Sequence, residues 1–315
     1  MSAARSRALA LLLAAALAAP ACAARAPGAF QFGVIGHAFQ SGPDEAQLRA
    51  ALRASDAAAP VFVVATGIKA AGESCGDKLY ERRKELLDDS ARPLIVSLAA
   101  SDWSECRNSA GRSNAIERLN RLRELFFADD NSLGARKLTL SRLSSSAKFR
   151  SYAENAHWES GRVLFATVNL PANNNHYRAE AGRNSEFEDR LVANRAWLQR
   201  LFAMAQRKKL DGIVLFSDGD VGVQAEENGS PTKQDGFAAA RRQIKLLAKK
   251  FTGKVLLVDT QGAKDAQRNT ATPEIAWRDN LGHLGVTAKW VKIRVNPGRT
   301  PLFEIADGGA DKAAR

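Results

Sequence analysis

Short apolar runs alternate along the chain with longer amphipathic segments. The apolar runs are rich in β-branched residues and bounded by Gly, Pro or polar turns, as buried strands are. They cover residues 32–35, 61–65, 94–98, 163–168, 213–216 and 255–258. The segments between them have helical periodicity and cover residues 44–53, 78–88, 113–127, 186–208 and 234–250. Because strands and helices alternate, we predict an α/β domain built in layers.

The C-terminal part of the chain has a different pattern. Residues 290–295 (WVKIRV) alternate between apolar and polar with a period of two. This alternation predicts a half-exposed antiparallel strand, and therefore mixed sheets. Residues 129–153 are rich in Ser, Arg and Lys, and we expect them to run over the surface. We predict a single domain over residues 28–306, followed by a disordered tail over residues 307–315.

The N-terminus has the features of an export signal. Arg5 and Arg7 precede an Ala/Leu run over residues 8–19, and small residues follow as far as Ala23. A basic start, a short apolar run and a small-residue cleavage site are typical of a secretory signal peptide. We therefore predict that residues 1–23 are removed from a periplasmic or secreted protein. The run is too short for a membrane-spanning helix, and we expect no transmembrane segment.

The three cysteines are interpreted in the light of this export. Cys22 follows small residues, as in a lipoprotein signal, but Pro20 and the lack of a Leu three places earlier make lipid anchoring the less favoured alternative. Cleavage would leave Cys75 and Cys106, and a pair of cysteines is readily bridged in an oxidising compartment. Closing this loop would stabilise the fold by about 3 kcal/mol. Two separate buried thiols are the alternative.

The chain is strongly basic, with 46 Lys and Arg against 34 Asp and Glu and a formal net charge of +12. Such a charge favours acidic partners, and for an exported protein these would be acidic or phosphorylated ligands of the cell envelope. The basic residues are scattered over amphipathic segments and accompany no nucleic-acid motif. Specific nucleic-acid binding is therefore not predicted.

Several segments, taken in order, resemble the calcineurin-like metallophosphoesterases, and in particular their secreted bacterial branch. They are residues 32–37 (FGVIGH), 63–70 (VVATGIKA), 99–106 (AASDWSEC), 115–127 (AIERLNRLRELFF), 154–158, 164–169, 173–175, 255–263 and 290–305. The resemblance covers most of the chain after the predicted signal. It implies a layered α-β-β-α sandwich with two mixed sheets.

The same resemblance shows which metal ligands are missing. In that family, Asp, Asn and His side chains from several strand ends hold two metal ions that clamp a phosphate and activate a hydroxide. At the matching positions this chain has His37, Phe39, Gly67, Ser101 and Asn169, with no His until His176, and its closing block, residues 259–263 (DTQGA), has no imidazole. Gly67 replaces the bridging Asp and has no side chain to join two cations.

The resemblance therefore implies a degenerate phosphoesterase that works as a binding or scaffold module, with no cofactor. The alternative is an active phosphoric-ester hydrolase using one divalent metal (Fe, Zn or Mn) in a rearranged site around His37 and Asp102, with His176 as a further ligand. The candidate pocket residues are His37, Ser101, Asp102, Asn169, Asn173, Asn174 and His176. In particular, residues 171–177 (PANNNHY) offer amides and an aromatic face that can hold a sugar or a phosphate.

One other motif has residues suited to cation chemistry. Asp218, Gly219 and Asp220 follow an apolar run and could form a cation loop, but the further ligands of a calcium loop are missing. A tight turn is the favoured interpretation.

Overall fold

A computed structural model describes residues 28–40, 42–179, 184–225, 234–261, 273–286 and 290–306. Within these residues the chain forms twelve strands and six α-helices, which alternate along much of the chain as the sequence predicts. The predicted signal peptide with Cys22, the predicted tail and Ala263 lie outside these residues. Among the residues described, no helix has the length and apolar character needed to cross a membrane.

The helices and strands have the following bounds. The helices are α1 (Glu45–Ala58), α2 (Asp77–Asp88), α3 (Ala100–Trp103), α4 (Ala115–Phe126), α5 (Ser185–Arg207) and α6 (Ala238–Lys250). The strands are β1 (Phe30–Ile35), β2 (Val63–Thr66), β3 (Leu94–Ser97), β4 (Ser141–Arg142), β5 (Ala156–Ser160), β6 (Val163–Thr167), β7 (Gly212–Phe216), β8 (Lys254–Asp259), β9 (Ala276–Arg278), β10 (Leu281–Gly285), β11 (Trp290–Val295) and β12 (Phe303–Ala306).

The strands form two mixed sheets. The smaller sheet has the order β12-β11-β1-β2-β3, and the larger has the order β4-β5-β6-β7-β8-β10-β9. In the smaller sheet β1, β2 and β3 are parallel, whereas β11 pairs antiparallel with β1. In the larger sheet β6, β7, β8 and β10 are parallel. The prediction of an antiparallel strand at residues 290–295 is confirmed, and so is the prediction of mixed sheets.

Three apolar clusters hold the layers together. One combines residues of both sheets, including Phe32 of β1 and Phe165 of β6, whose ring centroids lie 5.2 Å apart. A second lies between the smaller sheet and α1, α2 and α4, and it includes Leu48 and Leu119. The third lies between the larger sheet and α5 and α6, and Trp197 is at its centre. The chain is thus a mixed α/β protein built in layers, because each cluster is shared by neighbouring elements.

Residues 129–153 differ from the expectation of a surface excursion. Leu133, Leu140 and Leu143 are buried, and β4 pairs with β5 at one edge of the larger sheet. Arg142 is only 4% exposed, because its guanidinium donates to the main-chain oxygens of residues that include Asp129 and Ala153. A segment with many charged residues is thus partly buried, since its arginine binds main-chain oxygens of the same segment.

The predicted disulfide between Cys75 and Cys106 is confirmed, with Cα atoms 5.9 Å apart. It joins the start of α2 to the residues after α3. The bridged cysteines are 31 residues apart in sequence. A loop of that length corresponds to about 3–4 kcal/mol of stabilisation in the chain-entropy account.

His157 is an uncharged histidine inside the larger sheet. It lies in β5, is 6% exposed and has its ring centroid 5.3 Å from that of Trp197. Its Nδ1 atom is buried without a partner among the residues described. Burial, helped by the positive charge of Arg200, lowers the pKa of His157 to about 4. The folded state therefore binds this proton less well than the unfolded chain does.

We predict that His157 makes the protein less stable in acid. Because its folded pKa is below the unfolded value, the stability is fully present above pH 6.5 and is lost as the pH falls toward 4. Between pH 7 and pH 4.5 the loss amounts to roughly 2 kcal/mol. Urea unfolding of the wild type and of His157→Gln at pH 7 and pH 4.5 should give a smaller acid loss in the variant. Equal losses in the two proteins would contradict this assignment.

Candidate functional site

The polar residues of interest lie where parallel strands end, which is where α/β sheets usually place ligands. In the smaller sheet, His37 follows β1, Gly67 follows β2, and Ser101 and Asp102 lie in α3 after β3. In the larger sheet, Asn169 follows β6, Asp218 and Asp220 follow β7, and Asp259 ends β8. The two edges meet, because the main-chain nitrogen of Ala100 donates to the carboxylate of Asp218 over 2.7 Å.

The imidazole of His37 occupies the space beside Gly67. The backbone of Gly67 has a φ of +77°, and a Cβ atom added there would lie 2.3 Å from His37 Cδ2 and 2.6 Å from its Nε2. The ring is fixed in this place, since Nε2 lies 3.1 Å from the main-chain oxygen of Lys69 and 3.3 Å from Ser101 Oγ. A side chain at position 67 therefore has no room while His37 stays.

Asp102 is fully buried and binds the main chain with both carboxylate oxygens. Oδ1 accepts from the nitrogens of Ile68 and Lys69 at 2.9 and 3.3 Å, and Oδ2 accepts from Ala99 at 2.7 Å. Burial raises the pKa of Asp102 to about 6, although the charge of His37 and these hydrogen bonds act in the opposite direction. The carboxylate thus fastens the loop after β2 to the start of α3.

Lys69 adds a buried cation that the sequence interpretation did not single out. The side chain is 1% exposed, and its ammonium donates to the main-chain oxygens of Ala70 and Ser101 at 2.7 and 2.9 Å. Burial lowers the pKa of Lys69, although the nearby charge of Asp102 opposes this. The available sequence signal was a lysine inside an otherwise apolar segment.

Asp218 links the larger sheet to this cluster. Its Oδ2 accepts from the main-chain nitrogens of Ala100 and Ala172 at 2.7 and 2.8 Å, while Oδ1 accepts from Thr260 Oγ1 at 2.9 Å. The side chain is 1% exposed. We refer to His37, Lys69, Ser101, Asp102 and Asp218 together as the polar plug. The plug is held by internal hydrogen bonds that cross from one sheet edge to the other.

Side chains of the Asn-rich loop, residues 171–177, also form hydrogen bonds within the protein. Asn174, Asn175 and His176 all have left-handed backbone conformations, with φ values of 55°, 54° and 54°, and Asn tolerates this region better than most residues. The side-chain amide of Asn174 binds the main chain of Gln234 and Gly236, and that of Asn175 binds Gly236. The loop therefore holds residues 234–236 in place.

The buried Arg190 of α5 holds the same loop through hydrogen bonds. Its guanidinium donates to the side-chain and main-chain oxygens of Asn175 and to the main-chain oxygen of Asn169, the last over 3.1 Å. Two candidate residues keep a polar atom unused, because Asn169 Oδ1 and Asn173 Oδ1 are buried without partners among the residues described. Because both oxygens are buried, a ligand would reach them only if neighbouring side chains moved.

His176 does not join the other two residues of the single-metal alternative. Its ring lies 5.1 Å from that of Trp103, and burial lowers its pKa to about 4. Across the described part of the chain, one group of His, Cys, Asp or Glu has three donor atoms within 4.8 Å of one another, and it consists of Asp220, Asp259 and His283. His37, Asp102 and His176 are not such a group.

The Asp259–His283 pair was missed by the sequence interpretation. His283 Nε2 lies 2.6 Å from Asp259 Oδ2 and 3.8 Å from Asp220 Oδ1. Burial raises the pKa of Asp259 to about 6. Burial alone would lower the pKa of His283, but the hydrogen bond to Asp259 and the charges of both carboxylates raise it above its ordinary value. Acidic residues after β7 and at the end of β8 were the available signal, whereas β10 itself was not predicted.

The dinuclear centre of the family that the sequence resembles does not fit these residues. Gly67 supplies no donor, and the space beside it holds the ring of His37. Both oxygens of Asp102 accept main-chain hydrogen bonds, and Ser101 Oγ donates to the main-chain oxygen of Lys69 over 3.0 Å. Donor atoms that could bridge two cations are therefore already used.

Comparisons with known proteins leave the family open. No family model matches the chain, and no curated protein matches it significantly. Among solved structures, a D-allulose 3-epimerase from Methylomonas sp. shares 16% sequence identity over 81% of this chain and 72% of its own, with a TM-score of 0.24. At that TM-score the likeness supports no conclusion about fold or function.

We predict that a side chain at position 67 is incompatible with His37. Gly67→Ala should lower the free energy of unfolding by about 3 kcal/mol, combining roughly 1–2 kcal/mol for positive φ with a clash against the imidazole. Gly111→Ala is the matched control, since its φ is +73° and nothing lies within 4 Å of the added Cβ. In a His37→Ala background, Gly67→Ala should cost no more than the control does. Urea denaturation measures the wild type, the three single variants and the His37→Ala/Gly67→Ala double variant, and an unchanged cost without His37 would refute the packing account.

Proposed function

We propose that the protein is an exported metallophosphoesterase-like protein without phosphoesterase activity, acting as a binding or scaffold module. The observation that carries this proposal is the His37 ring beside Gly67, with a built Cβ at position 67 only 2.3 Å from it. In the resembled family, two metals joined at that position activate the attacking hydroxide. The His37 ring fills the space beside position 67, and this argues against a centre of two joined metals in this protein.

The layered fold supports the same proposal. Two mixed sheets share one apolar cluster, and helices cover the opposite face of each sheet. This is the arrangement expected of an α-β-β-α sandwich of the metallophosphoesterase type. The disulfide and the proposed signal peptide agree with export to an oxidising compartment.

The rival proposal is a phosphoric-ester hydrolase with one metal near His37 and Asp102. It requires donor atoms that are free to turn toward a cation. Asp102 instead binds three main-chain nitrogens, and His37 Nε2 lies 3.1 Å from the main-chain oxygen of Lys69. Freeing these groups would break the contacts that join the loop after β2 to α3, so the rival is less well supported.

A basic cleft supplies a binding surface for the proposed module. A cavity of about 640 Å³ opens at the amino ends of β7 and β8, and Lys209, Lys250, Lys254 and Arg299 contribute to its lining. The one carboxylate in the lining, on Asp211, is already bound by Arg162 and by the main-chain nitrogen of Gly298. Lys254 Nζ already donates to the main-chain oxygen of Asp279 over 2.9 Å. Lys209, Lys250 and Arg299, beside one satisfied carboxylate, match the acidic or phosphorylated envelope ligand that the net charge suggests.

We predict that inorganic polyphosphate binds in this cleft and that the protein does not hydrolyse an aryl phosphate supplied with Mn²⁺, Zn²⁺ or Fe²⁺. The double variant Lys250→Glu/Arg299→Glu should weaken polyphosphate binding at least ~10-fold, because it places like charge against the ligand. The control Arg53→Glu/Lys78→Glu makes the same change in net charge on exposed faces of α1 and α2. Fluorescence titrations at two salt concentrations measure both.

Each outcome of this experiment has a separate meaning. Metal-dependent hydrolysis that is abolished by His37→Ala would establish the rival single-metal enzyme. Equal weakening by the two double variants, with a steep loss of binding in salt, would mean that overall charge acts without a defined cleft. The binding-module proposal requires no hydrolysis and a clear difference between the cleft variant and its control.

A further inference from the structure

We propose that Asp220, Asp259 and His283 form a site for a single divalent cation of the Zn²⁺ or Mn²⁺ class. The three side chains come from different elements of the larger sheet, and their donor atoms lie within 4.8 Å of one another. The site shares no residue with the polar plug and does not depend on the proposed binding function. A cation held here without hydrolysis would leave that function intact.

The parallel strands bring these residues together. β10 runs beside β8 in parallel register, with His283 opposite Leu257 and Gly285 opposite Asp259. Asp220 follows β7, which is the neighbour of β8 on its other side. The three donors therefore converge over the carboxyl end of adjacent parallel strands, a position where open α/β sheets usually bind ligands. They converge although 24 residues separate Asp259 from His283 in sequence.

The donor set suits a borderline metal ion. One imidazole nitrogen and two carboxylate oxygens are the ligands that Zn²⁺, Mn²⁺ and Fe²⁺ accept. Ligand atoms about 2.0–2.2 Å from a cation lie roughly 3 Å apart. The two distances from His283 Nε2, 2.6 Å to Asp259 and 3.8 Å to Asp220, lie on either side of that value. Small rotations of the two carboxylate groups would bring their oxygens to coordination distance from one ion.

The surroundings orient the ligands and leave coordination positions open. The main-chain nitrogen of Gln261 donates to Asp259 Oδ1 over 2.9 Å, and that of Gly222 donates to Asp220 Oδ1 over 2.7 Å. Such outer hydrogen bonds fix the direction in which a ligand presents its lone pairs. The side chain of Asp220 is 45% exposed, so water can complete the coordination. Two carboxylates beside one imidazole also give an excess of negative charge in a basic protein.

The test is equilibrium dialysis of the untagged protein against Zn²⁺ and, separately, Mn²⁺, with the bound metal measured by elemental analysis. Wild type should bind one equivalent of at least one of these ions. Asp220→Asn and His283→Gln should each weaken that binding more than ~10-fold, as expected for loss of a ligand. The matched controls Asp129→Asn and His157→Gln alter the same residue types outside the site and should bind as the wild type does.

A second measurement, thermal unfolding, shows whether a variant that binds less metal is still folded. Asp220 is partly exposed, so Asp220→Asn should unfold at the same temperature as the wild type without metal. Added metal should then raise the melting temperature of the wild type and not that of the variant, since only the folded wild type has the site. Binding that is absent in the wild type, or unchanged in both variants, would show that Asp259 and His283 form an ion pair only.

Discussion

The imidazole of His37 and the missing side chain of Gly67 share one small volume, and the loops at the carboxyl edge of the smaller sheet are arranged around them. Gly67 allows the ring to enter, since a Cβ there would overlap it. Asp102 then fastens the loop after β2 to α3, and Asp218 extends the same network to the larger sheet. Because the contacts are buried and mutually satisfied, they fix the relative position of the two sheet edges at this point.

Three regions at the strand ends share no residue. The polar plug fills the crevice between the sheet edges. The Asp220–Asp259–His283 group lies on the outer part of the larger sheet's carboxyl edge, where one carboxylate reaches solvent. The basic cleft is at the opposite, amino end of the same strands. The proposed cation site and the basic cleft share no residue, so each can be tested independently of the other.

Much of the fold was predictable because its main elements have strong periodicity. The six apolar runs correspond to β1, β2, β3, β6, β7 and β8, and the five amphipathic segments correspond to α1, α2, α4, α5 and α6. By contrast, β10 (LGHLG) contains two glycines and has little intrinsic preference for a strand. It is a strand because it pairs with β8 and closes over Asp259. His283 could therefore not be placed from the sequence.

The candidate site was less predictable for a related reason. The resemblance predicted, position by position, which metal ligands would be missing, but the sequence did not indicate which contacts His37, Gly67 and Asp102 make. His37 reaches Gly67 through side-chain packing between two loops, and Lys69 is buried because main-chain oxygens surround its ammonium. The amides of Asn174 and Asn175, which looked free in the sequence, bind residues 234–236 instead. Such contacts depend on tertiary structure rather than on local pattern.

The most direct test of the account is a crystal of the protein soaked in Mn²⁺ and examined by anomalous scattering. The account predicts an imidazole beside Gly67 and no anomalous peak bonded to His37 or Asp102. A peak bonded to both residues, with the His37 ring turned away from Gly67, would contradict it.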